Sequence, residues 1–282
     1  MRLLPTVALA VPLFDEEAVV EGVVAELRAA LDAAGLRFGL VLVDNGSTDR
    51  TWALVDALAA ADPRLVALHL RPNQGYGGGI LAGLRAAWSL PVDGAPAQVL
   101  GWLWGDGQVD PAVIPGLVRA CSEGAMLAKV QRVRREDGRR RRALTRVYAL
   151  TTRGLGIGSR DVNGCPKLLP REALAALDLR STDWFLDCEV VIGVEDRGGV
   201  VSQHPAVMRA RRGGQSKVRA GTALQFVANL LRWRFMGGSH GSRPAPPRYY
   251  QPLPGGTDAH GTTLPGPAAG SAPRPARLWQ WR

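Results

Sequence analysis

The chain has 282 residues, of which 46% are hydrophobic, and a formal net charge of +10. This length allows one large α/β domain or two small ones, and no uncharged apolar run of about 18 residues occurs, which excludes a predicted membrane span. The three cysteines are scattered without CxxC spacing, which argues against a zinc site and favours reduced thiols in a cytoplasmic setting.

Apolar strands alternate with helices along the first hundred residues. Strands are predicted at 6–11, 39–43, 65–70 and 99–103, with helices at 15–34 and 50–61 between them and a third helix that follows the glycine-rich segment at 73–79 and runs to residue 88. This alternation is typical of βαβ units and predicts an α/β fold with a mostly parallel central sheet flanked by helices. No GxGxxG follows the first strand and no GxxxxGK[ST] occurs, which excludes an NAD-binding Rossmann unit and a P-loop enzyme.

Polar side chains follow three of these strands. They are Asp15 and Glu16, Asp44 and Asn45, and Asp106 and Gln108. The carboxyl ends of parallel strands meet at one edge of a sheet, where open α/β sheets bind ligands. There Asp44 could accept from a base N–H, Asp106 could hold a metal on a diphosphate, and the glycines from Gly75 onward let backbone approach a ligand. Each group could also be a capping device, but together they predict a nucleotide pocket.

The second half of the chain has a different pattern. Helices are predicted at 111–121, 144–155, 171–177 and 183–198, and strands at 125–130, 161–169 and 200–209. An amphipathic helix at 220–235 would lie either in a membrane interface or over the sheet. Residues 237–282 are rich in Pro, Gly, Ser and Ala, which predicts a disordered tail.

Positive charge is concentrated in two segments of this half. Residues 129–146 hold nine lysines and arginines against two acidic residues, and residues 209–219 hold five basic residues and no acid. Such clusters attract phosphorylated small molecules, anionic lipid headgroups or nucleic acid, although an arginine run can also be a solvated loop. The four histidines form no pair with ligand spacing, so each is predicted to be an incidental surface residue or a satisfied one.

Four motifs, VPLFDEE, VDNGSTD, LRPNQGYGGG and WGDGQVDP, resemble in order and spacing those of family 2 glycosyltransferases. The later segments NGCPKLLPREAL, DWFLDCEVV and RARRGGQSKV are similar to the branch that contains dolichol-phosphate mannosyltransferases and bacterial polyprenyl-phosphate glycosyltransferases. The resemblance covers about residues 5–220. It implies the GT-A fold, a Rossmann-like fold of nucleotide-diphospho-sugar transferases. It also implies inverting transfer of a sugar from a GDP- or UDP-sugar to dolichyl or undecaprenyl phosphate.

The same resemblance implies roles for individual residues. The donor nucleotide would contact Pro12, Phe14, Glu16, Asp44, Asn45 and Gly75, and Asp106 and Gln108 would bind Mg²⁺ or Mn²⁺ with the donor diphosphate. The acceptor phosphate would contact Arg132, Arg141, Thr145, Arg211, Ser216 and Lys217. Asp106 and Asp187 would be catalytic; Asp187 or Glu189 would face the reaction centre, and Asp187 would serve as base if the acceptor were a hydroxyl.

Two positions depart from the family pattern. Trp104 stands where the DxDxQ pattern usually has its first Asp, and an indole cannot ligate a metal, so the site loses an oxygen ligand unless water or Asp110 supplies one. Asn45 stands where a second Asp is common.

The resemblance, together with the amphipathic and basic patterns, predicts how the chain is organised and where it works. One domain would cover residues 1–236, with a nucleotide-sugar half at 5–115, an acceptor half at 116–218 and an interfacial helix at 219–236. We expect a cytoplasmic protein with peripheral contact at the cytoplasmic face of the membrane. The alternatives are a soluble glycosyltransferase acting on a sugar or secondary-metabolite hydroxyl, a nucleic-acid-binding protein and an inactive scaffold. No nucleic acid is expected as a partner, because aromatic residues are not interleaved with the basic run.

Overall fold

The computed structural model describes residues 4–134 and 158–209. Its strands are β1 (Val7–Leu13), β2 (Phe38–Asp44), β3 (Leu65–His69), β4 (Pro91–Val92), β5 (Ala95–Pro96), β6 (Val99–Trp102), β7 (Leu127–Arg134), β8 (Lys167–Pro170) and β9 (Val201–Val207). Its helices are α1 (Val20–Ala33), α2 (Thr51–Ala61), α3 (Gly75–Ser89), α4 (Ile114–Ser122), α5 (Arg171–Ala176) and α6 (Leu186–Glu195), with a 3₁₀ turn at Pro111–Val113. None of these helices is long and apolar enough to cross a membrane.

Seven strands form one sheet in the order β3-β2-β1-β6-β8-β7-β9. β1 pairs in parallel with β2 and β6, β2 with β3, and β7 with β9, whereas β8 runs antiparallel to both of its neighbours. The predicted mostly parallel sheet is therefore confirmed. Because β2, β1 and β6 are adjacent and parallel, the polar residues that follow them emerge at the same edge.

The central strands are apolar along nearly their whole length because both of their faces are covered. Every residue of β2 is buried, and in β1 only Pro12 is partly exposed. Helix α1 packs against the sheet through Val20, Val24, Leu27 and Leu31, at the three- and four-residue spacing of one helix face.

Helix α3 lies unusually close to the sheet because glycines line its inner face. A Cβ on Gly83 would lie 2.6 Å from the Cβ of Ala10 and 2.8 Å from a methyl of Val43. At its first turn, the N–H of Gly78 donates to the carbonyl of Thr182 over 3.0 Å. The glycine-rich segment therefore joins the amino-terminal half of the sheet to the chain that leads into α6.

The structure corrects two predicted elements. The strand predicted at 161–169 is wrong in its first half, because Asp161 has a φ of 46° and its carbonyl accepts from the N–H of Gly164 over 2.7 Å, which makes a turn. The helix predicted from residue 15 begins at Val20, because Asp15, with a φ of 49°, lies in a loop. The predictions for 144–155, for 219–236 and for the tail at 237–282 lie outside the described residues.

Candidate functional site

The loops after β1 and β2 hold each other at the carboxyl edge of the sheet. The backbone N–H of Asp15 donates to the hydroxyl of Ser47 over 3.0 Å, and the N–H of Glu16 donates to that of Thr51 over 2.9 Å. In return, the carboxylate of Asp15 accepts from the N–H of Thr48 over 2.8 Å. Two backbone amides at the entry to α1 and one near the start of α2 are satisfied in this way. The predicted nucleotide contacts at 12, 14 and 16 lie on the end of β1 and this loop.

Asp44, the last residue of β2, is fully buried beside a histidine. Its Oδ1 accepts from the N–H of Ser47 over 3.2 Å, and its Oδ2 lies 2.7 Å from Nδ1 of His69 without a well-directed hydrogen bond. Asp44 and His69 are paired residues at the ends of adjacent parallel strands. The ring of Trp52 lies 4.4 Å from the imidazole. His69 is therefore placed at the site by the register of β2 and β3, which pairs it with Asp44, although its Nδ1 makes no well-directed hydrogen bond within the described residues.

Asn45 fastens the end of β2 to the start of α3. Its Nδ2 donates to the carbonyl of Gly75 over 2.9 Å, and its Oδ1 accepts from the N–H of Gln74 over 3.0 Å. Gly75 has a φ of 77°, which favours glycine. A carboxylate at position 45 could accept from Gln74 but could not donate to Gly75. The departure from Asp at this position thus has a structural reason.

The loop after β6 carries the two predicted metal ligands. Asp106 is nearly buried, and its Oδ1 accepts from the N–H of Gln108 over 3.1 Å. The amide of Gln108 donates to the carbonyl of Arg209 over 3.4 Å. Asp110 accepts from the N–H of Ala112 over 2.9 Å and from Nη2 of Arg209 over 2.5 Å. The hydrogen bond from Ala112 and the guanidinium lower the pKa of Asp110 despite its partial burial.

Trp104 begins a partly buried hydrogen-bond chain that ends at the fully buried Asp187. Its indole Nε1 donates to the hydroxyl of Tyr76 over 2.9 Å, and this hydroxyl donates to Oδ2 of Asp187 over 3.1 Å. Lys167 donates to Oδ1 of Asp187 over 2.6 Å, and the side chains of Lys167 and Asp187 are both 0% exposed. The ring of Tyr76 stacks on that of Trp184 with centroids 3.8 Å apart. Asp187 is therefore enclosed, with each carboxylate oxygen in a hydrogen bond.

The hydroxyl of Tyr76 is a permanent donor in this chain. Burial raises the pKa of Tyr76 well above its ordinary value, and the negative charge of Asp187 raises it further. A neutral phenol can accept from Trp104 and donate to Asp187 at the same time. The chain therefore has one consistent direction of donation from the indole to the carboxylate.

Arg132 also lies near Trp104, with its guanidinium carbon 5.5 Å from the centroid of the indole ring. Its Nε donates to both carboxylate oxygens of Asp161, over 2.8 and 3.0 Å, and its Nη2 pairs with Oδ1. Burial alone would lower the pKa of Arg132, but the hydrogen bonds and charge of Asp161 raise it above its ordinary value. Asp161 therefore keeps the guanidinium of Arg132 charged and fixed in place at the candidate site.

The described residues thus include Arg132 of the six predicted for the acceptor phosphate. Arg141, Thr145, Arg211, Ser216 and Lys217 lie outside the described part of the chain. Lys167 and Asp161 are site residues that the motifs do not single out.

The chemistry of a divalent metal fits these residues only in part. Among residues 4–134 and 158–209, no three His, Cys, Asp or Glu side chains are grouped so that they could hold a metal ion. Asp106 offers a carboxylate and Gln108 an amide oxygen. The carboxylate of Asp110 already accepts hydrogen bonds from Ala112 and Arg209. Because Mg²⁺ in phosphate sites commonly uses one or two carboxylates together with water and substrate oxygens, this set suits a metal that arrives with a diphosphate.

Comparisons with known proteins agree with this geometry. A family model described as Glycosyl transferase family 2 matches residues 8–177. An undecaprenyl-phosphate 4-deoxy-4-formamido-L-arabinose transferase from Shewanella sediminis is 30% identical over 164 residues, 56% of this chain and 46% of that protein. A polyprenol monophosphomannose synthase from Mycolicibacterium smegmatis is 28% identical over 212 residues, 70% of this chain and 77% of that one. The chain thus spans less than half of the first relative's length.

A solved structure shares the fold. Glucosyl-3-phosphoglycerate synthase from Mycobacterium tuberculosis, crystallised with Mn²⁺, UDP-glucose and phosphoglyceric acid, has a TM-score of 0.59 and 23% identity, covering 82% of this chain and 79% of that chain. The likeness confirms the GT-A fold that the sequence predicts.

Proposed function

Because the chain belongs to glycosyl transferase family 2, we propose that it transfers a sugar from a nucleoside-diphosphate sugar to a polyprenyl phosphate. The names of the two relatives support this acceptor, since one acts on undecaprenyl phosphate and the other makes a polyprenol monophosphomannose. The basic segments at 129–146 and 209–219 support an anionic acceptor.

The observation that carries the proposal is the enclosure of Asp187. A hydroxyl acceptor has to lose a proton during transfer and needs a base within hydrogen-bond reach. Asp187, the predicted base, is 0% exposed and accepts from Lys167 and Tyr76. A phosphate monoester is already an anion and needs no such base. The arrangement therefore favours a phosphate nucleophile, and Asp187 serves to position the aromatic residues around the site.

The reaction is a single displacement with inversion at the anomeric carbon. A phosphate oxygen of the acceptor forms the new bond to that carbon, while the bond from the carbon to the donor diphosphate breaks and the nucleoside diphosphate leaves with the electron pair. No proton has to move. Arg132 would bring the acceptor phosphate to the anomeric carbon, and a metal held by Asp106 and Gln108 would stabilise the charge that develops on the leaving group.

On the donor side, the proposal uses the residues at the ends of β1, β2 and β6. The nucleotide contacts are Pro12, Phe14, Glu16, Asp44, Asn45 and Gly75, with UDP and GDP as the candidate nucleotides. Asp106 and Gln108 would hold Mg²⁺ or Mn²⁺, which would supply positive charge to the diphosphate of the leaving nucleotide. The Mn²⁺ and UDP-glucose in the structurally similar synthase support this assignment.

On the acceptor side, Arg132 contributes a guanidinium that suits phosphate oxygens, joined by Arg141, Thr145, Arg211, Ser216 and Lys217. The domain would end near residue 236 and reach a lipid carrier by peripheral contact of the helix at 219–236 with the cytoplasmic face of the membrane. The segment at 237–282 would be a tail outside the domain.

The test compares a lipid phosphate with the same lipid lacking its phosphate and with a small phosphorylated molecule. The full chain is incubated with UDP- or GDP-sugars and Mn²⁺, together with undecaprenyl phosphate, undecaprenol or phosphoglyceric acid, and products are followed by mass spectrometry. We expect transfer to undecaprenyl phosphate alone and loss of turnover in Asp106→Asn. Transfer to undecaprenol or to a sugar hydroxyl would contradict the argument from Asp187, and transfer to phosphoglyceric acid alone would move the acceptor to small phosphorylated molecules.

A further inference from the structure

Two lysines lie side by side in the interior of the sheet. Lys129 of β7 and Lys167 of β8 are paired residues of adjacent antiparallel strands, and both are 0% exposed. Lys167 pairs with Asp187. Lys129 instead donates to two backbone carbonyls, that of Arg160 over 2.6 Å and that of Asp161 over 2.9 Å. A fully buried lysine is costly, and an apolar residue would satisfy packing at this position of β7.

The carbonyls that Lys129 binds belong to the turn at 158–164, which other elements also anchor. The carboxylate of Glu195 on α6 accepts from the N–H groups of Gly158 and Ser159, over 3.0 and 2.9 Å. The N–H of Arg160 donates to the side chain of Gln203 on β9 over 3.0 Å. Lys129 adds the contact from β7, so the turn is tied to three elements of the second half of the domain.

The turn places the carboxylate of Asp161 next to the backbone and the guanidinium of Arg132. This carboxylate accepts from the backbone N–H of Arg132 over 2.8 Å and from the Nε and Nη2 side of its guanidinium. Within the described residues, the Nη1 amino group makes no hydrogen bond. A free arginine side chain loses about 2 kcal/mol of rotamer entropy when it is ordered, and here that ordering precedes any ligand.

We propose that Lys129 and Asp161 are positioning residues that aim the guanidinium of Arg132 at the acceptor phosphate. The inference rests on the proposed function, because it gives Arg132 the acceptor phosphate as its ligand. It explains why a polar group stands in the apolar interior: the two N–H groups that Lys129 uses fix the turn, the turn fixes Asp161, and Asp161 orients the guanidinium.

The protonation state of Lys129 leaves this geometry intact. Burial lowers the pKa of Lys129 to about 7, and the neighbouring charge of Lys167 lowers it in the same direction. The neutral amine still carries two N–H groups, and two carbonyls accept them. Asp161 keeps its charge, because the hydrogen bonds and charge of Arg132 lower the pKa of Asp161 although burial opposes this.

The experiment is a double-mutant cycle on the full chain, with geranyl phosphate as a short-chain acceptor. Lys129→Met, Arg132→Ala and the double variant are compared for the dissociation constant and KM of geranyl phosphate, for kcat, and for nucleoside-diphosphate affinity. We expect Lys129→Met to raise the KM for geranyl phosphate about tenfold, which corresponds to the loss of one charge-assisted hydrogen bond from Arg132 to the phosphate. The affinity for the donor nucleotide should not change. In the Arg132→Ala background the same substitution should change the KM less than about twofold, because the group it positions is gone.

A matched control separates positioning from packing. Leu127→Ala removes a fully buried side chain two residues earlier on β7 and should lower stability while leaving the KM for geranyl phosphate unchanged. If Lys129→Met does not fold, Asp161→Asn takes its place in the same cycle. An equal effect of either variant with and without Arg132 overturns the inference, and so does a normal KM in a folded variant.

The double-mutant cycle distinguishes failure of the inference from failure of the proposed function. If Arg132→Ala weakens geranyl phosphate binding while Lys129→Met and Asp161→Asn do not, the inference is wrong and the proposed function stands. If the wild-type chain neither binds geranyl phosphate nor transfers to it, the proposed function is wrong.

Discussion

The buried amine of Lys129 should make the stability of the protein depend on pH. Burial lowers its pKa from 10.5 to about 7, so between these values the unfolded chain binds a proton that the folded chain largely lacks. Stability rises with pH wherever the unfolded state binds more protons, by at most about 1.4 kcal/mol per pH unit for one group. Between pH 7 and 8.5 the gain in the free energy of unfolding is about 1.5 kcal/mol, since the folded amine is half protonated at the lower limit.

The measurement is urea unfolding of the wild type and of Lys129→Met at half-unit steps from pH 7 to 8.5. The upper limit matters because burial raises the pKa of Cys121 to about 12 and that of Cys165 further, and these thiols reverse the trend above their ordinary value of 9.0. We expect the wild-type stability to rise over this range and the slope to disappear in Lys129→Met. Equal slopes in the two proteins would refute the assignment of the proton to Lys129.

Three further substitutions test contacts of the site. Lys167→Met should lower the free energy of unfolding by about 3–5 kcal/mol, because it leaves the carboxylate of Asp187 buried without its cation, and adding Asp187→Leu should recover much of the loss in urea titrations. Asn45→Asp should cost about 1–3 kcal/mol, because a carboxylate cannot donate to the carbonyl at the start of α3; an unchanged unfolding midpoint would contradict this. His69→Ala should weaken UDP or GDP binding in calorimetry about tenfold, because it removes the group that faces Asp44, while pyrophosphate binding stays the same.

The sheet and the polar residues at its carboxyl edge could be predicted from the sequence because both depend on local patterns. Apolar runs of strand length, separated by helical periodicity, are enough to predict parallel strands whose carboxyl ends meet. The polar residues after β1, β2 and β6 are then predicted to lie at this edge, because they come directly after these strands. The turn at 158–164 could not be predicted in this way, because the contacts that hold it come from Lys129, Glu195 and Gln203, which are distant in sequence.

In the second half of the chain, the number of charged residues did not predict which charged side chains are buried. Lys129 counts toward the basic segment at 129–146, yet its side chain is in the interior, where it binds backbone. Asp187 is visible in the sequence as a polar residue in an apolar helix, but its partner Lys167 comes from strand β8, 20 residues earlier. β8 lies antiparallel between β6 and β7, and its Lys167 reaches Asp187 of α6. Tertiary contacts thus place Asp187, the predicted base, in an enclosed ion pair.

The tryptophan at position 104 and the enclosure of Asp187 are best understood as one arrangement. An indole N–H donates to Tyr76, which leaves the phenol free to donate its own proton to Asp187. A carboxylate at position 104 would compete for that same phenolic proton and would place a second negative charge near Asp187. The loss of one metal-motif carboxylate therefore gives the hydrogen-bond chain its direction. It also leaves Asp106 as the acidic residue of the motif, so that, if Asp106 holds the metal as we propose, diphosphate and water oxygens would supply most of its coordination.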